Sequence, residues 1–188
     1  MEGNRPIPVL YASRDGQSRR IADRIAERLA AQEIPAVALD LAAASPAPAD
    51  LAGASPVVVV AAVRYGRHLP AARRFLAGYR KLSSPPALAL ASVNLTARKP
   101  GKTTAESNPY LRKLIAQSGT KPALAIAIAG RLDYRRYRAL DRLIIRGIMW
   151  LTGGPTDPGT CIEYTSWTAV DAFAARIAEL NSAKTCAK

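Results

Sequence analysis

Ser13-Arg14-Asp15-Gly16-Gln17-Ser18 is the first stretch suited to chemistry: hydroxyls and a glycine separate an apolar run from an amphipathic one. The backbone N–H groups of such a loop, its hydroxyls and the start of the following helix can together cradle an anion. Both Gly-Lys-Ser/Thr and the Gly-x-Gly-x-x-Gly fingerprint are absent, so a single phosphate, as on a mononucleotide, is the better fit. An ordinary helix start capped by Asp15 or Ser18 accounts for the same residues. Asp15 is the odd member, because a carboxylate repels the anion the loop would hold.

Two more polar loops follow apolar runs. In Val63-Arg64-Tyr65-Gly66, the tyrosine can stack on a flat heteroaromatic ring, the arginine can meet an anion, and Gly66 lets the backbone come close. An aromatic packed under a turn is the plainer alternative. His68, the single histidine, is a weak candidate for a general base, and a loop histidine is more often merely solvated. The third loop begins at Ser92-Val93-Asn94-Leu95 and continues into Arg98, Lys99 and Lys102, which concentrate positive charge beside it.

The elements that position these loops are read from periodicity. Ile7–Ala12, Val57–Val63, Ala87–Val93 and Ala123–Ala129 are near-continuous apolar runs, as parallel strands covered on both faces require. Ala36–Leu41 is a shorter fifth strand nearer an edge. Between them, Ile21, Ile25 and Leu29, then Leu69, Ala72, Leu76 and Tyr79, then Trp167, Val170, Ala174, Ile177 and Leu180 recur at helical spacing. Residues 42–56, rich in Ala and Pro, form a loose loop or a short helix. Strands alternating with helices predict a single α/β domain over 1–188, a doubly wound five-stranded parallel sheet of flavodoxin-like order 2-1-3-4-5 with helices on both faces. Ligands in such sheets bind at the carboxyl ends of the strands, where all three loops emerge.

Composition narrows the partners. The 188 residues carry 27 Lys and Arg against 14 Asp and Glu, a net charge of +13. That excess predicts an anionic partner: nucleic acid, an anionic membrane surface or an anionic small molecule. Two cysteines and one histidine give no basis for a metal site or a disulfide framework. The amino-terminal residues run almost directly into the first strand and no run approaches a membrane span, so a cytoplasmic protein is expected, unless it lies on a membrane without crossing it.

Residues 131–160 are expected to interrupt the fifth strand as a basic helical insertion, with 160–165 as its resumed half. Arg135, Arg138, Arg142 and Arg146 fall on one helical stripe; Tyr137, Leu140, Ile144, Ile148 and Leu151 fall on the opposite one. Met149 and Trp150 add apolar bulk before Gly153 and Gly154. Such a helix suits the surface of an anionic membrane. Packing the apolar stripe on the sheet, with arginines in water, is the alternative.

At these motifs the chain resembles the flavodoxin-like, menaquinone-dependent protoporphyrinogen oxidases of bacterial haem biosynthesis. The likeness runs from Leu10 to about Leu180 and rests on 13–18, on Arg64-Tyr65-Gly66, on 92–102 and on the Tyr/Arg-rich insertion with Gly153-Gly154 and Thr156-Asp157. It implies FMN, with Ser13, Arg14, Asp15, Gly16, Gln17 and Ser18 around the phosphate. It implies that Val63, Arg64, Tyr65, Gly66, Ser92, Val93, Asn94 and Leu95 line the isoalloxazine. Ordinary flavodoxins favour Thr-Gly-Asn-Thr in the first loop, whereas Asp15, Gln17 and Ser18 occupy three of those places here. Asp15 is therefore expected to turn from the phosphate, pairing with Arg14 or capping the helix. Arg67 departs from the family pattern, which weakens a role for His68.

The function so implied is six-electron oxidation of protoporphyrinogen IX, with menaquinone or ubiquinone as acceptor, on the inner face of the cell membrane. Arg64, Arg98, Lys99, Lys102 and the insertion arginines are then candidates to meet substrate propionates or lipid headgroups. A flavodoxin-type electron carrier or a quinone reductase is the alternative, although such shuttles are usually acidic. Nucleic-acid binding has only phosphate attraction to support it, and homo-oligomerisation is left open.

Overall fold

The computed structural model describes residues 5–44, 46–51, 56–134, 139–151 and 154–185. In chain order the elements are β1 (Ile7–Ala12), α1 (Gln17–Ala30), β2 (Ala36–Asp40), β3 (Val57–Arg64), β4 (Arg67–His68), α2 (Pro70–Tyr79) and β5 (Leu88–Val93). There follow α3 (Pro109–Ser118), β6 (Leu124–Ile128), β7 (Arg131–Asp133), α4 (Ala139–Leu151), β8 (Cys161–Glu163) and α5 (Trp167–Thr185). A 3₁₀ turn at Pro48–Leu51 is the regular structure in the Ala/Pro-rich segment, parts of which lie outside the described residues.

The main sheet runs β2-β1-β3-β5-β6 and every pairing along that path is parallel. Counting the five long strands, this is the expected order 2-1-3-4-5. β4 adds a two-residue antiparallel pairing, Val63 with His68 and Arg64 with Arg67, that folds the chain back on β3.

Alternation along the strands explains why their sequences are apolar throughout. Ile7, Val9, Tyr11, Val58, Val60, Ala89 and Ala91 face one layer, where they pack on Ile21, Ile25 and Leu29 of α1 and on Val170, Phe173 and Ile177 of α5. Leu10, Ala12, Val57, Val59, Leu88 and Leu90 face the other, against Phe75, Leu76 and Tyr79 of α2 and Leu111 and Leu114 of α3. Each buried aliphatic side chain contributes about 1.5–3 kcal/mol, so the sheet is clamped from both sides.

Local chemistry sets where the helices start. Asn108 caps α3 by accepting hydrogen bonds from the N–H groups of Tyr110 and Leu111, both at 3.1 Å, and Pro109 fills the first turn. α1 differs: its cap is Gly16 at φ 86°, with no side chain capping it and no acidic residue in the first turn. The expected cap by Asp15 or Ser18 is therefore not made.

The second half of the molecule corrects one expectation. Residues 161–163 do not resume the fifth strand; β8 pairs antiparallel with β7, Arg131 opposite Glu163 and Asp133 opposite Cys161, as a separate two-stranded ribbon. The sheet's last strand ends at Ile128, and the returning chain is tied beyond it. The Tyr164 N–H donates to the Gly130 carbonyl at 3.1 Å, and the Thr165 hydroxyl donates to the Ala129 carbonyl at 2.7 Å.

α4 sits between the two ribbon strands in sequence. Met149 is buried with Leu132 and Tyr134, and Ile145 packs against that cluster. Leu143, Ile144 and Trp150 point outward, with 67%, 41% and 75% of their surface exposed. Arg135, Arg138 and Tyr137 lie outside the described residues. Among the described residues no helix is long and apolar enough to cross a membrane.

Candidate functional site

One cleft opens where β1, β3 and β5 end, and the first loop forms its floor. Ser13, Arg14, Asp15, Gln17 and Ser18 line it. The Gly16 N–H donates to the Ser13 hydroxyl at 3.1 Å, curling the loop so that the uncapped first turn of α1 faces the cleft. A left-handed backbone here favours glycine, and the open N–H groups of the helix start favour an anion. The Ser18 hydroxyl oxygen is buried with no hydrogen-bond partner among the described residues. A buried hydroxyl left unpaired costs about 1–3 kcal/mol, and a phosphate oxygen beside it would remove that cost.

Asp15 turns to Arg64, whose Nη1 donates to Oδ2 at 2.9 Å. The expected partner Arg14 is replaced because the end of β3 reaches across the sheet to the first loop. Arg64 also lies over the Tyr65 ring, 5.0 Å from its centroid, so one guanidinium joins the two loops. Tyr65 is 46% exposed and sits at φ 49°, a left-handed backbone uncommon outside glycine. Val63, Gly66 and Ala62 complete this wall.

The third wall is Val93, Asn94, Leu95 and Thr96, with Arg98 beyond. Ser92 does not reach the cleft surface: it is fully buried, and its hydroxyl accepts from Asn94 Nδ2 at 3.0 Å and contacts His68 Nε2 at 2.8 Å. Asn94 and Asn108 then exchange side-chain hydrogen bonds at 3.1 and 3.3 Å. This buried chain fixes the third loop from beneath. His68 is part of it. Burial, reinforced by the positive charge of Arg73, pulls its pKa down to about 4. The ring is thus neutral near pH 7 and is not among the residues lining the cleft. Lys99 and Lys102 are exposed and also lie off the cleft lining.

The roof comes from residues that the periodicity did not single out for the site. Tyr110, Gly130, Arg131, Asp133, Ile145 and Met149 all line the cleft. Arg131 donates through Nη2 to Asp133 at 2.9 Å and to the Cys161 sulfur at 3.0 Å. A methyl group on Gly154 would stand 2.1 Å from Met149 Cε and 3.0 Å from Arg98 Nη2, so the returning chain packs directly on both. Arg146, the insertion arginine whose side chain is described, is half-buried outside the lining. Gly130 to Asp133 directly follow the last strand of the sheet, and the strand-end rule that found the other loops would have found them too.

The returning ribbon also grips the phosphate-type loop. Gln17 Nε2 donates to Glu163 at 3.1 Å and to Thr165 at 2.9 Å, and Arg20 pairs with Glu163 at 2.9 Å while stacking over Trp167 at 5.1 Å. Burial opposes the charge on Glu163, but these hydrogen bonds prevail and hold its carboxyl below its ordinary value. Among the described residues no group of His, Cys, Asp and Glu could hold a metal ion.

An open sheet of this order with an anion-cradling loop after its first strand defines a flavodoxin-type domain, and residues 8–159 match the flavodoxin domain family. Flavodoxin 1 from Bacillus cereus superposes with a TM-score of 0.55 at 13% identity, over 93% of this chain and 98% of that one. The flavodoxin of Streptococcus pneumoniae TIGR4 gives 0.56 at 11% identity, over 96% and 99% of the two chains. At such low identity these show the fold alone. The sequence itself goes further. It is 38% identical to "Protoporphyrinogen IX dehydrogenase [quinone]" of Escherichia coli K12, over 94% of this chain and 97% of that protein. The protein of that name in Leishmania major is also 38% identical, over 92% of this chain and 74% of its own length. The chain belongs to the quinone-dependent protoporphyrinogen IX dehydrogenase family of flavodoxin-domain proteins.

The flavodoxin domain indicates FMN as cofactor, and the residues fit it. The orphaned Ser18 hydroxyl and open helix start suit a phosphate; the projecting Tyr65 and the Asn94–Leu95 backbone suit a flat ring between two loops.

Proposed function

We propose that this chain oxidises protoporphyrinogen IX to protoporphyrin IX, working as one FMN-binding domain with 131–160 as its insertion, and passes the electrons to menaquinone or ubiquinone. The observation that carries this is 38% identity over 94% of the chain to an enzyme of that name. The reaction removes six electrons and six protons, so three quinones become three quinols. FMN supplies the two-electron redox chemistry when bound.

The chain's own residues do the holding. Ser13 to Ser18 take the phosphate; Val63, Arg64, Tyr65, Gly66, Val93, Asn94 and Leu95 hold the ring. Ile145 and Met149 give the apolar surface a macrocycle needs, and Arg98 stands beside them. The outward Leu143, Ile144 and Trp150 support a seat on the inner membrane surface, where a lipid-soluble quinone is found.

The test is anaerobic: FMN-loaded protein, a quinone analogue and protoporphyrinogen IX, followed by porphyrin fluorescence. A quinone-dependent rise is expected, and Ser18→Asp, which sets a carboxylate where the phosphate belongs, abolishes it and weakens FMN binding by about a hundredfold. Bound FMN with no porphyrin formed would leave an electron carrier or a simple quinone reductase in its place.

A further inference from the structure

A second concavity lies behind the Tyr65 loop, separate from the cleft but sharing a wall with it. Gly66, Arg67, His68, Arg73, Tyr110 and Lys113 line it. Gly66 and Tyr110 also line the cleft, so the two spaces adjoin along these residues.

The charge of this concavity is one-sided. Arg67, Arg73 and Lys113 come from β4, α2 and α3 respectively, so three separate elements bring cations to one place. None of the three is in an ion pair among the described residues, and no carboxylate lines the space. The sequence withholds one: between Asp50 and Asp133 stand thirteen Lys and Arg, and Glu106 is the one acid. His68 contributes no competing charge, because its ring is neutral and turned to Ser92. Three converging cations without a counter-ion repel one another, and an anion relieves that repulsion.

We infer that this basic pocket seats the carboxylate edge of the substrate, so that Arg67 and Lys113, with Arg73 behind them, anchor propionates while the macrocycle lies in the adjoining cleft. The inference rests on the tetrapyrrole reading above and refines it. Protoporphyrinogen IX carries its two propionates on neighbouring pyrroles. One edge of the ring system is therefore anionic and the rest apolar, as the pocket and the Ile145–Met149 side of the cleft are in turn. Arg67 brings the planar fork that suits a carboxylate.

The experiment titrates FMN-loaded protein with protoporphyrin IX and with its dimethyl ester, which keeps the ring and removes both charges. The wild type is expected to prefer the diacid by about tenfold or more, the value of one charge-assisted hydrogen bond. Arg67→Gln combined with Lys113→Gln erases the preference and leaves FMN affinity unchanged, which shows that the fold is intact. Lys113→Arg keeps the preference, as does Arg176→Gln on the opposite side of the sheet. A double variant that still discriminates as the wild type does overturns the pocket's role and leaves the proposed function standing. Equal binding of acid and ester by the wild type also overturns it. A wild type that binds neither porphyrin refutes the tetrapyrrole reading itself, and the pocket's role with it.

Discussion

The two helical layers bury similar side chains and present opposite electrostatics. On the α1/α5 side the arginines are matched: Arg24 forks onto Asp171 with both bonds at 2.8 Å, Arg28 approaches the same carboxylate, Arg19 pairs with Asp23 and Arg20 with Glu163. On the α2/α3 side Arg73, Arg74, Arg112 and Lys113 have no such partner among the described residues. Burial made the two layers alike, because a sheet covered on both faces needs two apolar linings. Nothing in folding required their outsides to differ. One layer is neutralised by its own chain, whereas the other keeps its cations without a carboxylate partner among the described residues.

The comparison can be broken first at its shared half. Ile25→Ala in α1 and Leu76→Ala in α2 both empty fully buried positions and should each cost about 2–5 kcal/mol in chemical denaturation. A large inequality between them would show that one layer carries the fold.

A smaller effect separates the layers by pH. The folded protein holds His68 at about 4, below its ordinary 6.5, so as pH falls the unfolded chain takes up the proton first. Stability is therefore lost between about pH 6.5 and 4, by at most about 3 kcal/mol, and levels off below. Glu163 and Asp171 have lowered values, for Asp171 chiefly through its bonds to Arg24. Their contribution is lost only as pH falls through the carboxylate range, leaving pH 4.5–6.5 to the single histidine. His68→Gln should flatten Tm against pH in that window; an unchanged slope would place the titrating group elsewhere.

The smallest effects concern the outer charges. Neutralising Arg74, Arg80 and Lys81 should shift elution from a cation exchanger further than neutralising Arg19, Arg28 and Arg176, although the count is equal. Asp171→Asn should lower Tm slightly, and added salt should erase that difference.

The sheet and its order were legible because both layers bury fully, which wrote near-continuous apolar runs at the strands. The three cleft loops were legible for a related reason: polar residues after a buried strand stand out. What escaped was non-local and short. Asp15 meets Arg64 across 49 positions, and no local pattern encodes that. β7 and β8 have three residues each and pair across the whole insertion, too little periodicity to separate them from a resumed strand. His68 looked like a solvated loop residue because a two-residue hairpin, invisible as a strand, tucks it under the sheet. On α4 the expected apolar stripe missed Ile145 and Met149, which cover the cleft, while its member Ile144 faces outward.

Tyr65 holds a left-handed backbone with nearly half its surface in water. Such a residue costs the folded chain of the order of 1–3 kcal/mol, a burden present in every molecule before any ligand arrives. Tyr65→Gly would lift that burden, so a search for heat-resistant variants should recover it readily and return proteins that melt later and hold the flavin worse. Selection for survival of the fold and selection for use of the fold pull this one position in opposite directions.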